Sequence, residues 1–338
     1  MGLWRYGAGE DHSRQGSCVG GDVGRLSYDS AETLIFDPVS ANRNATRAAL
    51  YTLGFRRIET VATIDGFLDT IKRRPPDLAF CEAQGSDTEL CAAIQLLRQG
   101  GTGANPFLVI IVTAWEKSTA LVRRVVNSGA DDLILRPFST AILGSRILSH
   151  VERRKGFVIT TDYVGPDRRN DPDRASNIDL FEPPNSLKMK AKERLSAEEI
   201  TKRLDAELTV ARGKLNSEKL CRDAFQICIL WRLMQERPPG TTEYTEDLTK
   251  LALLTKQVER RCRETEFEMG LEWCESILGA VEALEMGMDR SASTHLLGHA
   301  AIGLIQVFSP EKSASDHLAE IDATVAIIRA RIQTQVAC

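Results

Sequence analysis

Four polar side chains stand at the carboxyl ends of apolar runs of strand length. Asp37 closes LIFD (34–37), Glu82 closes PPDLAFCE (75–82), Thr113 lies near the end of VIIVTA (109–114), and Arg136 follows the apolar start of LILRPF (133–138). Brought to one place, these groups could satisfy one another. The Glu82 carboxylate could accept from the Thr113 hydroxyl and pair with Arg136, whose planar fork suits a carboxylate better than an ammonium does. Pro38, next to Asp37, adds neither a carboxylate nor a backbone donor. The other candidates are His295 and His299, four apart in HLLGH and so on one face of a helix, a spacing that permits two metal ligands. No Glu or Asp falls within the same two turns to complete a site. Packing or solvent accounts for both histidines, and no metal site is assigned.

Gathering the first four residues requires a parallel sheet. Residues 31–155 alternate apolar strands with amphipathic helices. The strands read at about 33–37, 57–62, 77–82, 107–113 and 131–135, the helices at about 41–53, 64–73, 87–99, 117–128 and 139–153. Such alternation builds an α/β doubly wound, five-stranded parallel sheet covered on both faces. Gly100 and Gly101 stop the third helix and Gly129 the fourth. In a flavodoxin-like sheet of order 2-1-3-4-5, ligand chemistry gathers beyond the carboxyl ends of the strands at the switch point between the first and third. Asp37, Glu82, Thr113 and Arg136 all fall at such ends.

LIFD, PPDLAFCE, VIIVTA and LILRPF resemble the first, third, fourth and fifth strands of two-component response-regulator receiver domains of the CheY-like kind. The resemblance covers residues 31–155 and implies a signalling role. Against that family, Glu82 stands at the phosphoacceptor Asp, Pro38 at the second metal-binding acid, Arg136 at the Lys, and Leu133 at the aromatic that moves on activation. Asp37 and Thr113 keep the family's residue types. Receiver phosphorylation needs a carboxylate nucleophile, a divalent cation and fixed donors for the phosphoryl oxygens. With Pro38 in place of an acid, magnesium loses a ligand and a charge, and its binding is expected to be weak or absent. Glu82, one methylene longer than Asp, reaches toward the volume an acyl phosphate would fill. The pocket is therefore either a built-in imitation of the phosphorylated state or an inactive remnant in which Glu82 fills a hollow. Neither version is an enzyme.

The remaining segments frame this region. Residues 1–30, rich in Gly, Ser and charge without periodicity, are expected to be a disordered tail. Residues 156–187 read as a linker, although FVIT (157–160) could dock on the preceding domain. Arg168, Arg169 and Arg174 lack the RxxxR spacing of PilZ cyclic-dinucleotide domains. Residues 188–338 read as an all-α helical bundle or coiled coil. Ile200, Leu204, Leu208, Ala211 and Leu215 form one apolar stripe of the kind that makes a coiled-coil seam. Pro238-Pro239-Gly240 ends that helix. A second pattern runs from Thr242 through Leu248, Leu251, Leu254, Val258 and Cys262 past Trp273 to Leu284, and segments 295–308 and 317–332 follow. These suggest about four antiparallel helices, with a dimerising stalk as the alternative.

Formal net charge is -4, and residues 180–338 carry 25 acidic against 21 basic side chains, so no basic field draws the chain to nucleic acid. Without a long apolar run or an apolar leader, neither a membrane partner nor secretion is expected, and the location predicted is cytoplasmic. Eight cysteines without a C-x-x-C pair suggest reduced, buried thiols. The function these features imply is that of an atypical, phosphorylation-independent response-regulator-like protein, without cofactor, that binds a signalling partner or itself through its helices. The alternative is a phosphorelay component whose helical part accepts phosphate on His295 or His299, although neither is followed by the Lys and Gly typical of phosphotransfer domains.

Overall fold

The computed structural model describes residues 26–168, 180–192, 195–263 and 265–336. Most of the expected tail lies outside these residues, as do Arg169 and Arg174 of the expected linker. Five βα units come first: β1 (Glu32–Phe36), α1 (Ser40–Thr52), β2 (Arg57–Val61), α2 (Ile64–Arg73), β3 (Leu78–Glu82), α3 (Asp87–Arg98), β4 (Val109–Ala114), α4 (Thr119–Ser128), β5 (Asp132–Leu135) and α5 (Thr140–Glu152). The strands are parallel in the order β2-β1-β3-β4-β5, as the alternation predicts.

Both faces of the sheet are dry, which explains the unbroken apolar runs of β3 and β4. Side chains alternate between faces along each strand. Leu34, Phe36, Ala79, Cys81, Ile110 and Val112 pack with residues of α2, α3 and α4 on one face. Ile35, Leu78, Phe80, Val109 and Ile111 pack with Leu50 of α1 and Leu143, Ile147 and Val151 of α5 on the other. Helices α2, α4 and α5 begin at side-chain caps, with Thr63, Ser118 and Ser139 accepting from the backbone N–H of Gly66, Leu121 and Ile142. Gly129 ends α4 at φ 90°, a left-handed position suited to glycine.

Within the expected linker, Phe157–Ile159 (β6) and Val164–Pro166 (β7) form an antiparallel hairpin, and Phe181 bridges to Phe157. Short helix α6 (Ser186–Lys192) follows, with Leu187 and Ala191 buried against the α5 side of the core. Leu26 and Tyr28, from the expected tail, also pack there, Tyr28 stacked on Phe55 at 4.6 Å.

The helical region comprises α7 (Ala197–Met234), α8 (Thr242–Cys262), α9 (Gly270–Glu285), α10 (Arg290–Phe308) and α11 (Ala314–Val336). Two features differ from the sequence reading. The single pattern from Thr242 to Leu284 is two helices, because the chain turns over Thr265–Met269: the Thr265 hydroxyl donates to the Cys262 carbonyl at 2.8 Å, and Phe267 folds edge-on against Phe308 at 5.6 Å. The stripe along the first half of α7 packs against the hairpin rather than along a partner helix as a coiled-coil seam would. Leu204, Leu208, Ala211 and Leu215 lie instead on Phe107, Phe157, Ile159, Val164 and Phe181, the hairpin and its neighbours. The second half of α7, from Leu220 to Met234, enters a separate core with the other four helices. Gly298 and Gly303 make that core possible, since a methyl at either would collide with the ring of Trp231 or Trp273. Among the described residues no helix is long and apolar enough to cross a membrane.

Candidate functional site

Asp37 follows β1, Glu82 ends β3, Thr113 lies opposite Glu82 in the β3–β4 register, and Arg136 follows β5. Parallel pairing thus brings all four polar groups to one sheet edge. The Thr113 hydroxyl donates to Glu82 Oε2 at 2.8 Å, and Arg136 Nε donates to the same oxygen at 2.8 Å. Glu82 Oε1 accepts from the backbone N–H of Gln84 at 3.1 Å. The carboxylate, 2% exposed, therefore has donors on both oxygens. Arg136 also donates through Nη2 to the Thr46 hydroxyl at 3.0 Å and to Asp37 Oδ2 at 3.4 Å, while its guanidinium lies 4.9 Å from the Phe138 ring centre.

Asp37 is held less firmly. Its Oδ1 accepts from the Val39 N–H at 2.8 Å. Burial pushes its carboxyl up from the ordinary range; the Val39 N–H opposes this, the Glu82 charge adds to it, and Arg136 offsets part of it. Pro38 contributes only a carbonyl, which accepts from Arg43 Nη1 at 3.1 Å, and the Asp37 carbonyl accepts from the same nitrogen at 2.6 Å. These contacts leave few free oxygens for a cation at this edge. Both Glu82 oxygens are engaged, Asp37 faces a guanidinium, and the neighbouring carbonyls are taken.

His295 and His299 lie on the exposed side of α10, remote in the chain from this edge. The His299 ring sits 5.6 Å from that of Trp273, and no group of three His, Cys, Asp or Glu among the described residues is placed to hold a metal. On the sheet region, Ser118 caps α4, Arg124 pairs with Asp87, and Arg146 lies 3.5 Å from Asp132. Leu133, at the aromatic position of the resemblance, packs against the sheet core.

Sequence reasoning missed a second polar cluster, at the opposite, amino edge. Asp131 precedes β5 and is clamped by two arginines. Arg98 Nη2 donates to its Oδ2 at 2.7 Å, and Arg154 donates at 2.8 Å to Oδ1 and 3.1 Å to Oδ2. Arg98 also donates to the carbonyls of Gly129, Pro106 and Leu108, and Arg154 to that of Phe107. The Phe157 ring of β6 lies 5.2 Å and 5.0 Å from the two guanidinium carbons. Burial lowers the Arg98 pKa to about 10, Asp131 opposing the drop. Burial alone would raise the Asp131 carboxyl, but the Arg154 and Arg98 charges outweigh it and hold the group below its usual range. The cluster anchors the hairpin. Arg98 ends a predicted helix, where a basic residue looks like an ordinary surface charge, so its sequence context carried no signal.

Two further contacts tie the helical region to this edge. Lys219 of α7 pairs with Asp223 at 3.2 Å and donates to the carbonyls of Thr160 and Thr161 in the hairpin turn. Arg261 of α8 donates to the Gln99 carbonyl, just past α3, at 2.8 Å.

The sheet order β2-β1-β3-β4-β5 makes the first region a flavodoxin-like α/β fold, with its polar groups gathered at the carboxyl edge. Similar chains include a CheY-like response-regulator receiver domain protein from Methanospirillum hungatei (22% identity, TM-score 0.33), covering 37% of this chain and 95% of that one. A response regulator from Thermotoga maritima (22%, 0.31) covers 35% and 96%, and a response-regulator receiver domain from Bermanella marisrubri (21%, 0.32) covers 36% and 98%. No family model matches the chain, and no curated protein does.

Proposed function

We propose that this protein is a receiver-like signalling adaptor that acts by binding another protein, without turnover and without phosphorylation. One observation carries the reading: Glu82 Oε2 accepts from Thr113 and Arg136 together, the two donors that the receiver resemblance would direct at a phosphoryl oxygen. The residue that should receive phosphate already fills its own pocket. A carboxylate so occupied is a poor nucleophile, and no cation site stands beside it to neutralise an incoming phosphoryl group. The arrangement favours a built-in imitation of the phosphorylated state over an empty remnant. Function then lies in what the protein binds, from a location in the cytoplasm.

Incubation with acetyl phosphate or beryllofluoride in magnesium should leave the protein unchanged in mass and in its amide NMR spectrum. A stoichiometric adduct, or one phosphate on residues 77–85, sinks the proposal. An acid-labile label on exposed His295 or His299 after treatment with a histidine kinase would instead establish the phosphorelay alternative.

A further inference from the structure

Phe267 and Met269 of the turn before α9, Trp273 of α9 and one row of α10 enclose an open, mostly apolar groove of about 850 Å³ on the helical region. The row on α10 is His299, Ile302, Gly303, Gln306 and Val307, whose spacing puts them on a single helix face. Their neighbours Ala300, Ala301, Leu304 and Ile305 are buried in the core, while this face stays open. The Trp273 ring lies against Gly303, where a methyl would come within 2.8 Å of it, and its centre is 5.6 Å from that of the His299 ring. Met269, 75% exposed, puts an unbranched and adaptable side chain at the lip. From His299 to Val307 the row runs roughly 12 Å at 1.5 Å per residue, which matches the reach of apolar anchors at i, i+4 and i+7 on an incoming helix.

Charge selects the occupant. Residues 264–289 hold eight Asp or Glu and no Lys, Arg or His. Glu266 lines the groove, and Glu268, Glu272 and Glu275 are exposed close to it in the chain; none of these four is in an ion pair among the described residues. The basic residues that flank the segment are engaged elsewhere, Arg263 with Glu259 and Arg290 with the Arg237 carbonyl. Lys312, between the lining residues Pro310 and Ala314, pairs with Glu320. A two-fold pairing of this face with a second copy would set acids against acids, and the same charge turns away nucleic acid and anionic lipid. We propose that the groove seats a basic amphipathic helix of a partner protein, its apolar face on Trp273, Ile302 and Val307 and its Lys and Arg side chains against Glu266 and Glu272. This rests on the reading of the protein as a binding adaptor and gives that partner its chemistry. The apolar floor supplies contact area, and the unpaired acids steer the helix in and reject acidic competitors.

The test titrates the full, isotope-labelled chain with a synthetic helical peptide that has leucines at i, i+4 and i+7 and lysines elsewhere, followed by amide and indole NMR. The expected result is saturable shifts centred on residues 267–273 and 299–307, weakened by added salt and absent with a counterpart peptide carrying glutamates in place of the lysines. This comparison is made on wild-type protein and needs no variant to fold. In the double variant Glu266→Lys/Glu272→Lys, at two exposed positions, affinity should fall roughly tenfold, the effect of reversing two exposed charges. No saturable shift, equal binding of the glutamate peptide, or wild-type affinity in the double variant would each overturn the proposal, as would a dimer of the free chain joined through this groove. Shifts confined to another face overturn the groove and leave the adaptor reading standing, whereas phosphate on residues 77–85 overturns that reading whatever the peptide does.

Discussion

Asp37 and Asp131 sit at opposite edges of one sheet, their side chains 0% and 1% exposed, yet the fold treats them in opposite ways. Asp131 has two guanidiniums to itself, and their charges overcome the cost of burial. Asp37 shares one guanidinium with Glu82 at a longer distance, and burial wins. Counted as charges, the amino edge holds two positive groups around one negative, with the Phe157 ring and backbone carbonyls absorbing the excess. The carboxyl edge holds two carboxylates that share the Arg136 guanidinium, while Arg43 serves only the backbone carbonyls of Asp37 and Pro38. The first is a joint, over-satisfied so that the hairpin and the helical region cannot drift. The second is a pocket, carrying an imbalance that a purely structural site would remove. Equal burial therefore says little about role, and the partners of a carboxylate say much more.

The largest expected effect tests that contrast directly. Asp131→Ala leaves Arg98 and Arg154 buried without a counter-charge and should cost about 3–5 kcal/mol in urea denaturation, the usual range for breaking a buried pair. Asp37→Ala should cost under about 1 kcal/mol, because Arg136 keeps Glu82 and Thr46. Equal costs would erase the distinction. Leu208→Ala, on the stripe of α7 that lies over the hairpin, should cost about 2–3 kcal/mol and make protease cleavage between the two regions faster. Unchanged stability and cleavage would mean that the polar contacts alone hold the regions together. Arg136→Lys should cost about 1–2 kcal/mol, since one ammonium cannot serve Glu82 and Thr46 with the geometry of a guanidinium. Its amide NMR shifts should move at Thr113 and Glu82 and stay fixed at Asp131.

The smallest effect concerns pH, and its sign differs between the two acids. The Asp131 pKa is lowered by folding, so its stabilisation is complete above the unfolded value, about 4, and is lost as pH falls through the folded one. The Asp37 pKa is raised, so its penalty is absent at low pH and grows as pH rises from the unfolded value through the folded one. Asp37→Asn should therefore gain up to about 1 kcal/mol over wild type near neutral pH, with the advantage shrinking toward pH 3.5. A urea midpoint difference that grows toward acid would reverse the assignment.

The sheet was legible because its signals are local: unbroken apolar runs, helix stops at glycine, and a polar residue at the end of four of the five strands. The carboxyl-edge pocket followed, since parallel strands carry their ends to one place and Glu82, Thr113 and Arg136 needed no further information to meet. The amino-edge joint was not legible. Arg98, Asp131 and the pair Arg154 and Phe157 come from three separate segments, and nothing in the spacing of an arginine shows that its guanidinium will be buried. The hairpin was hidden by its Pro, Gly and Asp content, which reads as linker until Phe107 and Phe181 are seen to cover it. The α7 stripe was recognised as apolar, but an apolar stripe does not name its partner. Its periodicity suited a coiled coil, and the available surface was a β-ribbon.

Helix α7 has one further consequence. Its 38 residues run unbroken from the hairpin core into the helical core, a rod of roughly 57 Å at 1.5 Å per residue. A rod clamped at one end works as a lever. A tilt of roughly 5° where Leu208 and Leu215 rest on the hairpin would carry the far tip, near Met234, roughly 30–40 Å away, through about 3 Å. That displacement would press or release the Trp231 ring where it lies close against Gly298. Small rearrangements at the sheet would thus reach the far helices multiplied in amplitude.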